Sequence, residues 1–195
     1  MSPQNLQVLP LHKHPQYLRA CCELINDEWP RSETARMMSL QASRDELPTS
    51  LILVDTNTIL GHCKLTPIPS MPESCFIETV VICKSMRGQK LGSYLMHFVE
   101  DYCKNELKLK TIHLSTKGQE NFYAKLGYVV CAPVSIYGVR VPNNFKSSVV
   151  STKAESPVIV NTSGPIPPPP PMPKTEVFNS DHTPKSNKTY MFKCI

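Results

Sequence analysis

The chain has 195 residues, 41% of them hydrophobic, with 19 prolines against seven glycines and a formal net charge of +5. That length is enough for one domain with a proper core and some chain to spare. No stretch reaches the ~18–20 consecutive apolar residues of a membrane span. The charge is too mild and dispersed for the basic, aromatic-interleaved stripe that binds nucleic acid, but it suits an acidic substrate.

The amino terminus, MSPQNLQVLPLHKHPQ, has neither the basic start nor the apolar run of a secretory signal. Ser2 stands where myristoylation needs glycine, and the terminal FKCI is not a prenylation signal. Cysteines at 21, 22, 63, 75, 83, 103, 131 and 194 form no C-x-x-C pair and match no histidine spacing. Most sit in apolar runs such as FIETVVIC, as buried reduced thiols do. A cytosolic monomer without a metal site is the expectation.

In chain order, Leu6–Leu11 reads as a first strand. From His14 to Trp29 the apolar positions Leu18, Cys21 or Cys22, and Ile25 mark one helix face, which Pro30 ends. Ser32 can cap a second helix, Glu33–Gln41, with Met37 and Leu40 inward. Leu51–Val54 and Ile59–Leu65 flank a polar turn at Asp55–Thr58 and predict a hairpin. Cys75–Cys83 is the most apolar strand. A helix follows it, with Leu91, Leu95, Phe98 and Tyr102 on its inner side. Thr111–Ser115 is a further strand, and Asn121–Leu126 a short helix closed by Gly127. Val134–Val141 alternates as a strand. Residues 147–188 are rich in Ser, Thr, Pro and Asn and contain PIPPPPPMP, a composition that predicts disorder around a polyproline II rod. Strands and helices alternating in this way predict an α/β fold with a sheet of mixed direction.

Chemistry concentrates at Arg87-Gly88-Gln89-Lys90-Leu91-Gly92-Ser93, between a strand and a helix. Glycines there let successive N–H groups converge on a diphosphate, and the helix dipole adds positive charge. The loop is neither a Walker loop nor G-x-G-x-x-G, and taken alone it is equally an ordinary strand-to-helix turn. Downstream, Asn121-Phe122-Tyr123-Ala124-Lys125-Leu126-Gly127-Tyr128 follows another strand.

Together the two segments resemble the signature regions of the GNAT superfamily of N-acetyltransferases. Its diphosphate loop reads Gln or Arg, any two residues, Gly, any one residue, then Gly or Ala. Its later segment reads Asn, then Tyr-x-x-x-Gly followed by Phe or Tyr. The resemblance spans roughly residues 6–142. In the register beginning at Arg87, Lys90 replaces the first glycine and Gly92 is the second. A register from Gln89 would put Tyr94 where a small residue is needed.

The resemblance implies a GNAT fold: a mixed central sheet splayed between its fourth and fifth strands, about four flanking helices, and acetyl-CoA as cofactor. It implies that the pantetheine arm pairs with the backbone of Val80, Val81 and Ile82, and that amides of Gly88–Ser93 hold the diphosphate. Asn121 and Lys125 fall near the pantetheine and phosphate, and Tyr123 where the family places the acid that protonates the CoA thiolate. The base stays open between Glu78 and His113, with Ser115 or water alone as alternatives.

The acceptor wall is expected over Ile25–Met37, with Trp29, Arg31, Thr34, Ala35, Arg36 and Met37 meeting the substrate. Guanidinium groups at a helix start favour a carboxylate, Arg36 weighing more than Arg31. Trp29 is equally a core aromatic at a helix end, and the arginines equally solvated. INDEWPRS with a downstream proline run resembles the branch of the family that acetylates the acidic amino terminus of processed actin, with profilin expected to dock on Pro167–Pro173. A small-amine or lysine acetyltransferase, and a catalytically silent profilin- or SH3-binding module, remain as alternatives. A GNAT sheet closes with two antiparallel strands after the short helix, and Thr189–Cys194 alternates without proline. The expected domain is therefore residues 1–142 with 188–195, and 143–187 a proline-rich loop inside the last hairpin.

Overall fold

The computed structural model describes residues 5–137 and 188–195. Its centre is a seven-stranded sheet in the order β1-β2-β3-β4-β5-β7-β6. β1 (Leu6–Pro10), β2 (Thr49–Asp55), β3 (Thr58–Pro67) and β4 (Ser74–Ile82) form an antiparallel meander. β4 then pairs in parallel with β5 (Thr111–Thr116), and β7 (Thr189–Cys194) lies antiparallel between β5 and the two-residue β6 (Val129–Val130). β2 is a continuous apolar run because both of its faces are covered.

Two cores follow from that. On one face α3 (Leu91–Asn105) packs Leu91, Leu95, Met96, Val99 and Cys103 onto Cys63, Leu65, Cys75, Ile77, Ile112, Leu114 and Met191. On the other, α1 (Leu18–Glu28) and α2 (Glu33–Gln41) bring Cys21, Cys22, Ile25 and Leu40 onto Ile52, Val54 and Val81. The short α4 (Glu120–Lys125) ends at Gly127, whose φ of 90° is the left-handed value that glycine accepts freely. Among the described residues no helix is long and apolar enough to cross a membrane.

α2 and β7 form over the predicted residues. Ser32 holds the position before α2, but its side chain makes no capping hydrogen bond; its carbonyl accepts from the Arg36 amide at 3.0 Å instead. The inner stripe of α3 is rotated from expectation. Phe98 is exposed and Tyr102 only half-buried, while Val99 and Cys103 are fully buried. Successive four-residue steps, 91-95-99-103, each advance about 40° on a 3.6-residue helix, so the buried stripe winds around α3 as it crosses the sheet instead of running straight along it. The strand expected over Val134–Val141 is not formed within 134–137, and 138–141 lie outside the described residues. Val129–Val130 takes its place against β7, opposite Phe192 and Met191. Pro133, which has no N–H for a ladder, marks where pairing stops.

Candidate active site

β4 and β5 stay paired only from Ser74 opposite Thr111 to Ile77 opposite Leu114. At the next residue β4 carries a bulge. Ile77 faces Leu65 and Thr79 faces Lys64 across β3, so Glu78 is the extra residue. A bulge bends and twists its strand, and here it turns β4 away from β5. Val80, Val81 and Ile82 then pair with Cys63, His62 and Gly61 on one side only. Their other backbone edge opens onto a cavity of about 460 Å³.

Val80–Ile82, Arg87, Gly88, Lys90, Leu91, Gly92, Ser93, Gln119, Phe122 and Tyr123 line that cavity, and Glu28 and Trp29 close it on the α1 side. In the loop before α3, Gly88 has φ 80° and Lys90 φ 61°. Two left-handed residues in a short turn direct successive amides inward, an anion-binding concavity. This explains the glycine of the family pattern at position 90, since only glycine takes that conformation without strain. Lys90 holds it at a cost of about 1–2 kcal/mol. A Cβ on Gly92 would stand 3.4 Å from Phe122, so the ring sits against the bare backbone there. The free strand edge, the concave amide loop and a mostly apolar channel together fit the pantetheine and diphosphate of a CoA thioester.

Not every predicted cofactor residue reaches that wall. Gln89 turns its amide toward the Met86 sulfur at 3.8 Å, and Asn121 and Lys125 are exposed on α4 and do not line the cavity. Gln119 and Phe122, one turn of the same helix apart, do. Their sequence signal was weak, because the bounds of a helix this short decide which face points inward. Arg87 is engaged by protein: its guanidinium donates to Glu28 at 2.7 Å and to the Ile82 carbonyl at 3.1 Å. Lys84 pairs with Asp27 at 3.0 Å, so two ion pairs tie the end of α1 to the loop.

Tyr123 packs edge-on to Phe122 and to Tyr128, with centroids 5.0 and 5.8 Å apart. Burial first, and the nearby Cys63 second, push its phenol above the ordinary value, so it holds its proton across the physiological range.

A second cavity, of about 480 Å³, lies on the other side of the bulge and is lined by Phe76, Glu78, Ser115, residues 133–137, Lys188 and Tyr190. Glu78 accepts from Thr66 at 2.9 Å and pairs with Lys64 at 3.0 Å; Lys64 in turn donates to Ser39 at 2.7 Å. Burial would raise its carboxyl, but Lys64, Thr66 and Arg31 outweigh it and hold the group below its usual range. His113 lies one register step below this cavity. It stacks on Phe192 at 5.7 Å, its Nδ1 is buried without a partner, and burial lowers its pKa. It is therefore neutral at neutral pH and does not line either cavity.

Of the acceptor wall, Trp29 is 45% exposed beside the first cavity. Thr34, Ala35 and Met37 fall on α2 and line neither cavity. Arg36 braces the two helices, donating to Asn26 at 3.1 Å and to the Trp29 carbonyl at 2.8 Å. Arg31 lines neither cavity, but its charge is the smallest of those that hold the Glu78 carboxyl down. Among the described residues, no group of three or more His, Cys, Asp or Glu side chains could hold a metal ion.

Comparison with known proteins agrees with this geometry. N-alpha-acetyltransferase 80 of Mus musculus is 31% identical over 185 residues, covering 83% of this chain, and the chain spans 58% of that relative's length. Ard1 from Thermoplasma volcanium shares the fold with a TM-score of 0.59 at 12% identity, over 98% of this chain and 99% of its own. A spermidine N-acetyltransferase chimera (SpeG K23-Q34, from Vibrio cholerae and hSSAT) shares it with a TM-score of 0.56 at 18% identity, over 66% of this chain and 83% of its own. A sequence model described as the acetyltransferase (GNAT) family matches residues 18–128, more than half of the chain. With that match added to a splayed β4–β5 pair and an amide-lined loop, the chain belongs to the GNAT family of acetyltransferases, which take their acetyl group from acetyl-CoA.

Proposed function

We propose that this chain acetylates the α-amine of acidic protein amino termini, with processed actin as its substrate, and that acetyl-CoA is the donor. The observation that carries the reading is the position of Glu78. It stands at the bulge where the cofactor edge of β4 begins, and its carboxylate lines the second cavity. The likeness to an N-alpha-acetyltransferase supports an amino terminus as acceptor. Lys64, Lys188 and Arg31 around Glu78 favour an acidic chain over a polyamine, which would be repelled.

When bound, acetyl-CoA supplies an activated thioester with a thiolate leaving group. Val80–Ile82 would hold the pantetheine by its amides, and the loop from Gly88 to Ser93 the diphosphate. An α-amine with a pKa of about 7.7–8.0 needs only mild help to lose its proton. Glu78, kept ionised by Lys64 and Thr66, would attract the ammonium and hold a water that carries its proton to solvent. As the C–N bond forms and the C–S bond breaks, the second proton of the attacking amine would leave through the same water, and Tyr123 would give its proton to the sulfur and regain one from solvent. His113 supports the wall as a neutral ring on Phe192. The run Pro167–Pro173 lies outside the described residues. In this proposal it belongs to a loop at 143–187 that docks profilin, bringing actin to the site at high effective concentration.

The test is transfer of labelled acetyl to peptides with acidic, neutral or basic first residues. Acidic peptides should be preferred at least tenfold, and the preference should shrink as salt rises. Equal competition by neutral peptides at low salt overturns the acidic reading. Transfer to lysine side chains in preference to amino termini overturns the α-amine reading.

A further inference from the structure

Behind Tyr123 lies a buried charged pair that the reaction above does not use. Lys193 of β7 donates to Glu100 of α3 at 2.6 Å, and the two side chains are only 24% and 10% exposed. A buried ion pair is weak support for stability, since desolvation offsets most of its attraction. Its surroundings suggest another role. The Lys193 stem crosses Gly127 at a distance of 3.6 Å from where a Cβ would stand, so the glycine leaves room for it as well as turning the chain. The ammonium lies 5.7 Å from the centre of the Tyr128 ring. Tyr128 is 2% exposed; its hydroxyl and Glu100 Oε1 are both buried without an ideal hydrogen bond, but burial first and the adjacent Glu100 carboxylate second push the phenol up, so the two groups face each other. The Tyr128 amide donates to the Tyr123 carbonyl at 3.1 Å, and the two rings meet edge-on. Glu100, Lys193 and Tyr128 therefore form one continuous contact from α3 and the last strand to the ring of Tyr123.

We propose, resting on the reading of Tyr123 as proton donor, that Lys193, Glu100 and Tyr128 are positioning residues that fix the Tyr123 ring for proton transfer to the leaving thiolate. Substrate binding at the β4 edge and at Glu78 does not pass through this set. Loss of the set should therefore act on kcat and leave KM alone. Two discrete charged groups bonded to each other allow one ring position where an apolar cluster would allow several, and a proton donor misplaced by even one ångström loses rate steeply.

The experiment is a double-mutant cycle on the full chain, read by steady-state transfer to an acidic peptide. Lys193→Met should lower kcat at least tenfold, with KM for peptide and acetyl-CoA within twofold of wild type, and Lys193→Arg should restore most of the rate. On a Tyr123→Phe background Lys193→Met should cost no further rate, because the donor it positions is gone. An equal loss on both backgrounds, or a loss confined to KM, overturns the positioning role. Should Lys193→Met fail to melt cooperatively, Tyr128→Phe keeps the ring and removes only the hydroxyl. It should show a smaller kcat loss with the same non-additivity, and full additivity there also overturns the proposal. A wild-type rate for Tyr123→Phe alone removes Tyr123 as donor and the proposal with it, while leaving open the amine and acidic parts of the functional reading.

Discussion

The cofactor side and the acceptor side of this site are built from different materials. On the proposed cofactor side a nearly continuous stretch, Val80–Ser93, would bind through its backbone: one unpaired strand edge, two left-handed residues and a helix start. On the proposed acceptor side the wall comes from positions 76, 78, 115, 133–137, 188 and 190, and it would work through side-chain charge and shape. A backbone site needs glycines at fixed spacing and so leaves a local pattern. A side-chain site assembled across the chain leaves none.

The largest expected effect breaks the cofactor side alone. Gly92→Trp drives a ring into the space held by Phe122, which would already touch a Cβ added at Gly92. Acetyl-CoA should raise the melting temperature of wild type by several degrees and leave that of Gly92→Trp unmoved. Equal shifts in both proteins would place the diphosphate elsewhere. Tyr123→Phe is the next largest. The ring keeps its edge-on packing, so the cofactor shift should survive while kcat falls by about 10²-fold or more.

Charge on the acceptor side comes third. We expect Arg31 to weigh more than Arg36, against the sequence ranking, because Arg36 is held by Asn26 and the Trp29 carbonyl, whereas the Arg31 charge reaches Glu78. Arg31→Glu should cut the preference for acidic peptides about tenfold, measured as a ratio of kcat/KM values at low salt. Arg36→Glu should instead lower the melting temperature by uncoupling α1 from α2. A selective loss of acidic preference in a stable Arg36→Glu protein would restore the original ranking.

How much was legible follows the same division. Gly127 and Gly88 announced the helix end and the loop because their left-handed backbone favours glycine, and Gly92 because it stands at the family spacing. β7 was legible from Thr189–Cys194 because a fold with a missing strand and a proline-free alternating segment left it one place to go. The penultimate strand was misplaced, since Val129–Val130 is too short to carry a period and Val134–Val141 alternates without pairing in its described part. Neither the bulge at Glu78 nor the pairing of Glu100 with Lys193, 93 residues away, has a local signature. His62 is a further example. It reads as a polar strand residue, yet it is fully buried between β3 and the α1–α2 layer with both ring nitrogens unpartnered.

That histidine gives the stability of the whole fold a pH dependence. Burial first, then the charges of Lys64 and Arg36, lower its pKa from 6.5 to about 3. The unfolded chain therefore takes up a proton that the folded chain refuses. Stability should fall as pH drops below about 6.5, by about 1 kcal/mol for the first unit and at most about 1.4 kcal/mol for the next, and level off only near the folded value. His62→Gln should flatten this part of the curve in denaturant titrations at pH 5.5 and 7.5. An unchanged slope would mean that the ring finds a partner when charged.

The smallest effect should come from Lys90, where the two materials meet in one residue. Its backbone is left-handed with φ 61°, and the residue lines the first cavity, where we place the diphosphate. Lys90→Gly relieves the strain, but part of that gain is returned through the greater freedom of glycine in the unfolded chain. The net should be a rise of no more than about 1 kcal/mol, which in a domain of this size moves the melting temperature by about 2–4 °C. Cofactor affinity should move the other way, falling a few-fold and less so at high salt, because one phosphate-facing charge is gone. A gain in both stability and affinity would mean that the lysine faces solvent and that only its backbone matters. A loss in both would mean that the Lys90 side chain holds the loop in shape.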